Sequence, residues 1–345
     1  MLLAAIRDLQ YRRRRVLVAI AGASLVLGLG LVMSGLAASF GNEADRTFSV
    51  LAADRWAVPP SVSGPFAGFT PMASDEAFAA VRGGEAGGVL VSRINTGTSQ
   101  DPRDGVLVGV EPGRPGAPTT TRAGTILSGE GQVVVSTRFG FELGQELVLD
   151  GSSFAVVGLV DASLLAGSPL VIVTLGDAQR LAANGLPVVT SLALDADAEV
   201  VGDLHVLDAA AARDDAVRPL ANAEQTIGFV RTLLWLVAAM IVGSVLYLNA
   251  LERTGDIAVF KAIGVSGRSV VAGMFLQALI VALAASAAAA VIGLALAPVF
   301  PLRVEIPAGA LAALPAVALV VSFLGALAGV RRAVRISPAL AFGGP

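Results

Sequence analysis

Cysteine is absent, so no disulfide staples any part of this chain, and thiolate metal sites and catalytic thiols are excluded. Lysine occurs once, at Lys261, and Ala262 follows it, so a GxxxxGK[ST] phosphate loop cannot form and the chain is not a P-loop ATPase. Histidine also occurs once. His205 lies in the alternating segment DLHVLD, which predicts a strand, and a solvent-facing or hydrogen-bonded strand histidine is expected. A lone histidine without cysteine excludes a His-rich metal centre and leaves a Ser-His-Asp triad little support. Charge is scarce as well. Only 15% of residues are Asp, Glu, Lys or Arg against 55% hydrophobic, and the mean hydropathy is +0.76. That composition is too apolar for a soluble globular protein.

What is present is a set of long apolar runs. Residues 16–38 form 23 consecutive uncharged positions, enough to cross a hydrocarbon core about 30 Å thick. Further runs occupy 232–251, 269–298 and 308–330. Each is expected to be a transmembrane helix, because backbone groups in lipid must satisfy their hydrogen bonds within the segment. The first run is too long for a signal-peptide core, and Ala37-Ala38-Ser39 is a weak cleavage signal, so an uncleaved helix is expected.

The basic residues orient these spans. Arg7, Arg12, Arg13, Arg14 and Arg15 precede the first, against one acid, Asp8. Arg253, Lys261 and Arg268 follow the second, and Arg331, Arg332 and Arg335 follow the fourth. With four spans, these eleven basic residues share one side, which the positive-inside rule makes cytoplasmic, with both termini there. The protein is therefore expected in the cell membrane. Segment 1–15 reads as an amphipathic basic helix on the inner surface, with Arg12, Arg13, Arg14 and Arg15 drawn to anionic lipid. Residues 299–307 form a short external loop and 331–345 a cytoplasmic tail.

Residues 39–231 then form an extracytoplasmic domain with 12 basic and 23 acidic residues. Its acidity reads first as solubility, and no nucleic-acid partner is expected. Segments 131–137, 145–151, 153–161 and 168–175 alternate like strands, with Asp150-Gly151 as a hairpin turn. Helices are expected at 74–82 and from a cap at Asp177 to Asn184-Gly185. Gly- and Pro-rich 83–88 and 111–118 read as loops. Segment 208–231 reads as a helical stalk into the second span, bent or broken at Pro219. The fold class expected is thus a four-span α-helical membrane protein with an extracytoplasmic α+β domain inserted between helices one and two.

The loop 252–268 carries the most specific signal. In ERTGDIAVFKAIGVSGRSV, the apolar residues recur at helical intervals among Glu252, Arg253, Asp256 and Lys261. Such a segment suits either a lipid surface or a groove on a cytoplasmic partner. It resembles the ER-x-x-E-I-x-x-x-K/R-A-I-G-A-S motif of FtsX/MacB-type ABC transporter permeases, with Asp256 for the usual glutamate and Val265 for alanine. FELGQELVLDGSSFAVVGLVD and RRAVRISPALAFGG are similar to that family's external strand pair and C-terminal ending. The resemblance spans the whole chain and is closest to actinobacterial permeases.

The resemblance implies two copies of a separate ABC ATP-binding subunit as partners, using ATP and magnesium that this chain does not bind. It also implies a second permease chain, as homo- or heterodimer. The loop would be the coupling helix, placing Glu252, Arg253, Asp256, Ile257, Phe260, Lys261, Ile263 and Gly264 against the ATPase. Ile257 and Phe260 would be the buried anchors and the charges would set register. ATP hydrolysis would drive movements of the external domain for export or extraction of a substrate. Regulation of an external cell-wall hydrolase, an extracytoplasmic adaptor as partner, an ATPase-independent receptor or adhesion role, and amino-acid (glutamine) transport stand as alternatives. The spans carry no charged residue to mark a polar pathway. Gly28, Gly30, Gly35, Gly243 and Gly293 are expected at close helix contacts, and Gln277 is expected to bond between helices.

Overall fold

The computed structural model describes residues 13–66, 68–96, 104–164, 167–252, 259, 266–300 and 304–334. Four of its helices are long and apolar enough to cross a membrane, which makes the chain a multi-pass membrane protein. They are α1 (Arg13–Val50), α5 (Ala221–Glu252), α6 (Gly267–Leu296) and α7 (Ala308–Val334). Between α1 and α5 lie three shorter helices of the inserted domain: α2 (Ser74–Ala79), α3 (Leu175–Ala183) and α4 (Ala209–Val217). The chain divides into two compact units, one reaching to Ser39 and resuming at Ala223, the other Phe40–Asn222.

In the first unit, glycines set how closely the long helices approach at Gly28, Gly243 and Gly293, as expected, whereas Gly30 makes only an ordinary contact and Gly35 meets a non-helical segment. A Cβ at Gly28 would stand 3.1 Å from the Ala289 carbonyl oxygen, and one at Gly293 would stand 2.9 Å from the Leu31 side chain. A Cβ at Gly243 would stand 2.8 Å from the Gly325 oxygen, so α5 and α7 meet backbone to backbone. Gly30 faces Trp235, and Gly35 packs on Val304 and Ile306. Phe275 and Phe323 stack at 4.7 Å between α6 and α7. Gln277 is buried among these helices.

The second unit is built on an eleven-stranded mixed sheet. Its principal strands are β1 (Arg55–Val58), β2 (Ala86–Asn95), β3 (Asp104–Val110), β4 (Ala123–Gly124), β5 (Gln132–Ser136), β6 (Glu146–Leu149), β7 (Ser152–Val160), β8 (Ser168–Thr174), β9 (Ser191–Leu194) and β10 (His205–Asp208). They lie in the order β10-β1-β9-β2-β3-β8-β5-β7-β4, with β6 also on β7 and Ser163–Leu164 on the start of β8. The β3–β8 and β5–β7 pairs are parallel and the others antiparallel.

The central strands carry continuous apolar runs, Val106–Val108, Val133–Val135 and Leu170–Val173, because both faces of the sheet are covered there. On one face, Val106, Val108, Leu170 and Ile172 pack with Val50 and Leu51 at the end of α1 and with Ala212 and Ala216 of α4. On the other, Leu107, Val171 and Val173 pack with Leu175 and Ala178 of α3. Each such valine, leucine or isoleucine contributes about 1.5–3 kcal/mol when fully buried. This two-sided core is what holds the domain without disulfides.

The expected strands at 131–137, 145–151, 153–161 and 168–175 form within a residue or two of those limits. Asp150 (φ 45°) and Gly151 (φ 77°) make the hairpin turn, both left-handed as a type I′ turn requires. Three local readings change. Asp177 is not the cap of α3: Thr174 is, its hydroxyl accepting from the Asp177 N–H at 3.2 Å. Asp177 instead accepts from Thr174 Oγ1 (2.6 Å) and the Gly131 N–H (3.1 Å), tying α3 to the start of β5. The first short helix stops at Ala79, since Val81–Arg82 pair with Glu199–Val200. Residues 86–88 belong to β2 rather than a loop. A Cβ at Gly88 would meet Leu175 at 2.9 Å, and one at Gly109 would meet Ala178 at 2.2 Å, so these glycines admit α3 onto the sheet.

Candidate functional site

Of the residues expected to contact an ATPase, Glu252 is described and closes α5. Arg253, Asp256, Ile257, Phe260, Lys261, Ile263 and Gly264 lie outside the described residues, as does Arg12. Arg13, Arg14 and Arg15 open α1 and are exposed. Arg15 Nη1 donates to Glu252 Oε1, so a residue of the basic cluster meets a residue of the coupling motif. Both side chains stay partly exposed, and the pair joins the start of α1 to the end of α5. On the far side of the loop, Ser266 caps α6 by accepting from the Ser269 N–H at 3.3 Å.

At the other end of this helix pair, Arg231 of α5 donates to Ser34 Oγ of α1 at 3.3 Å. Its guanidinium also lies 5.4 Å from the Trp235 ring centroid, a cation–π contact. The α1–α5 pair is therefore pinned by an arginine near each end of the apolar runs, Arg15 and Arg231.

Within the sheet domain, the last turns of α1 are held on three sides. Glu43 accepts from Arg138, which also donates to the Gly167 carbonyl at 3.0 Å. Thr47 Oγ1 donates to the Ser163 carbonyl at 2.7 Å, and the Ser163 N–H donates back at 3.2 Å. Phe48 meets Phe66 and Trp56 edge-on at 5.3 and 6.0 Å. Asp45 faces a different element: it accepts from Arg213 Nε and, at 3.0 Å, from Nη2. Arg213 lies on α4, which the 3₁₀ turn Arg218–Leu220, containing Pro219, separates from α5. The hydrogen bond and charge of Arg213 hold the Asp45 carboxyl below its ordinary pKa, and the hydrogen bond and charge of Asp45 raise that of the guanidinium. Neither group is in an apolar run, Asp45 lying seven positions past residue 38.

Sequence reading missed these ties. Their partners are 95, 116 and 168 residues apart, and no local pattern marks such distant pairs. His205 sits exposed on the edge strand β10, as its alternation suggested. Among the described residues, no three His, Asp or Glu side chains gather in a way that could hold a metal ion.

Comparison with known proteins assigns the chain to a family. Residues 228–338, which contain α6, α7 and most of α5, match the FtsX-like permease C-terminal family. A Mycobacterium tuberculosis protein described as an uncharacterized ABC transporter permease is 42% identical over 355 aligned residues, covering 100% of both chains. A second such M. tuberculosis protein is 39% identical over 352, again covering 100% of both. The extracellular domain of the noncanonic ABC-type transporter YknZ from Gram-positive bacteria aligns with 41% of this chain and 82% of its own, at 14% identity and a TM-score of 0.31, too loose a likeness to define a shared fold. The chain belongs to the FtsX-like ABC transporter permeases, the membrane-embedded and non-catalytic component of an ABC transporter.

Proposed function

We propose that this permease couples ATP hydrolysis by a separate ATPase subunit to movement of its sheet domain on the extracytoplasmic side, for export or extraction of a substrate. The observation that carries this reading is the 252–268 segment: a charged, apolar-striped stretch between two long apolar helices, inside the family-matched region. Ile257 and Phe260 act as its anchors in the ATPase, and Arg253, Asp256 and Lys261 set its register. Ile263 and Gly264 complete the set assigned to the ATPase contact. The eleven basic residues on one side of the four spans support a cytoplasmic position for this loop and both termini. Arg13 and Arg14, with Arg12, bind the anionic inner leaflet, while Arg15 holds Glu252 and so sets the direction in which the loop leaves α5.

The complex contains two ATPase copies and a second permease chain. Force enters at the loop, passes along α1 and α5, and reaches the sheet domain through two roots, residues 40–50 with their ties to Arg138 and Ser163, and α4. Segment 208–231 is the stalk of this lever, with its joint at Pro219.

Charge exchange tests the assigned role of Glu252. Reversing it alone (Glu252→Arg) should cut ATPase stimulation by the full-length permease by about tenfold, roughly the worth of a charged contact at an interface. Adding Arg15→Glu should restore most of it. A double variant as inactive as the single one would show that Glu252 does not act through Arg15.

A further inference from the structure

The sheet domain carries a buried carboxylate that neither the membrane topology nor the coupling reading uses. Asp215 of α4 is 0% exposed, and neither carboxylate oxygen receives a hydrogen bond. Among the described residues its charge is met by Arg218 alone, whose Nη1 lies 3.1 Å from Oδ1, within ion-pair reach but off the hydrogen-bonding direction. The chain has made room for this unusual group: a Cβ at Gly64 would stand 2.0 Å from Asp215 Oδ2. A charge removed from water without hydrogen bonds is costly even when paired, so a buried carboxylate here calls for an explanation beyond stability.

Arg218 supplies the explanation. Its side chain is 63% exposed and lines a groove of about 610 Å³ together with Ser61, Ser63, Asp203 and His205. A guanidinium has five donors in a fixed fork. Asp215 holds Nη1 by charge, and among the described residues no protein group takes a hydrogen bond from the remaining donors, which leaves them to a ligand in the groove. This is how an arginine is set in advance to receive an oxyanion.

The groove also excludes a simple anion as its best ligand. The surrounding segment 39–231 has 23 acidic against 12 basic residues, and Asp203 puts a carboxylate on the groove itself. A lone anion would be repelled by both, whereas a ligand carrying an ammonium beside its oxyanion is attracted by both. We propose that this groove binds a small zwitterion, its oxyanion on Arg218, its ammonium on Asp203, and its remaining polar atoms on Ser61, Ser63 and His205. Arg218 opens the 3₁₀ turn that leads into α5, so occupancy bears on the joint at which the stalk bends. Binding at the groove is measured without any ATPase, so its failure would leave the coupling reading untouched.

The probe is phosphoethanolamine, titrated by calorimetry into the full-length protein in maltoside detergent, with inorganic phosphate and ethanolamine as half-ligands. The expected result is saturable binding, about tenfold or more tighter than either half-ligand. Asp203→Asn should reduce the affinity to that for inorganic phosphate. Arg218→Lys, which keeps a cation beside Asp215, should weaken binding by at least about tenfold because an ammonium lacks the planar fork. Asp203 is exposed, so its variant keeps the test valid even if Arg218→Lys unfolds. In a second arm, nanodiscs with and without phosphatidylethanolamine separate the sources. Binding of the soluble probe identifies a free ligand, and Arg218-dependent stabilisation only with the lipid identifies a headgroup. Overturning results are no binding in either arm, phosphate binding as tightly as phosphoethanolamine, or binding that both variants leave unchanged.

Discussion

Glu43 and Asp45 stand two positions apart on α1 and pair with different arginines, and burial makes the two pairs unequal. The Glu43 side chain is 9% exposed and that of Arg138 21%. Removing the arginine leaves a nearly buried carboxylate short of its charge partner, which costs about 3 kcal/mol or more. Asp45 and Arg213 remain in contact with solvent, and exposed pairs contribute about 1 kcal/mol or less. Arg138→Met should therefore lower the denaturation midpoint of the full-length protein far more than Arg213→Met; equal losses would show that burial is not the difference. The pH dependence of the exposed pair follows from its shifts. Asp45 has a lowered pKa, so its contribution is present above the unfolded carboxylate value of about 3.9 and fades as pH falls through the lower folded value. Arg213 has a raised pKa, so its contribution is fully present below the unfolded arginine value. The stability gap between the parent and Arg213→Met should hold from neutral pH down to about 5 and close below about 4. A gap that opened on acidification would contradict the assignment.

At the scale of elements, α5 and α7 are set by one glycine on each. With Gly325 backbone atoms 2.8–3.2 Å from the place of a Cβ at Gly243, no rotamer change can admit a side chain there. Gly243→Val should cost about 1–3 kcal/mol by overpacking, read as a lower thermal midpoint in detergent. Gly228→Ala, with nothing within 4 Å, should be neutral or slightly stabilising. Equal behaviour of the two would remove the α5–α7 contact from the account. Gly243 was legible in the sequence as a glycine within a long apolar run, whereas its partner Gly325 was not singled out there. The Asp150-Gly151 hairpin was legible for a similar reason, as its turn chemistry is local. The cap of α3 was less so: Thr174 and Asp177 have the same spacing as a capping box, and the acid is the more conspicuous of the two. Residues 86–88 were read as loop because glycine in a strand shows its purpose only once α3 is seen packed over it.

At the scale of the whole molecule, the four long helices and the place of the inserted domain follow from hydropathy and the distribution of arginine. The eleven-stranded order does not, because β10, β1 and β9 come from opposite ends of the domain's sequence. The ties on Glu43, Asp45 and Thr47 exist only once that order brings their partners to α1, and the Arg218 groove is hidden for the same reason. The coupling loop's own residues left a lipid surface and a partner groove both open, and its resemblance to the permease motif is what pointed to an ATPase. The most direct measurement of the central claim is ATPase co-purification and stimulated hydrolysis with the full-length permease and its Phe260→Asp variant. An ATPase subunit should bind the parent and be stimulated by it, and the variant should lose both while keeping the parent's thermal midpoint. Retention of both by Phe260→Asp would contradict the account.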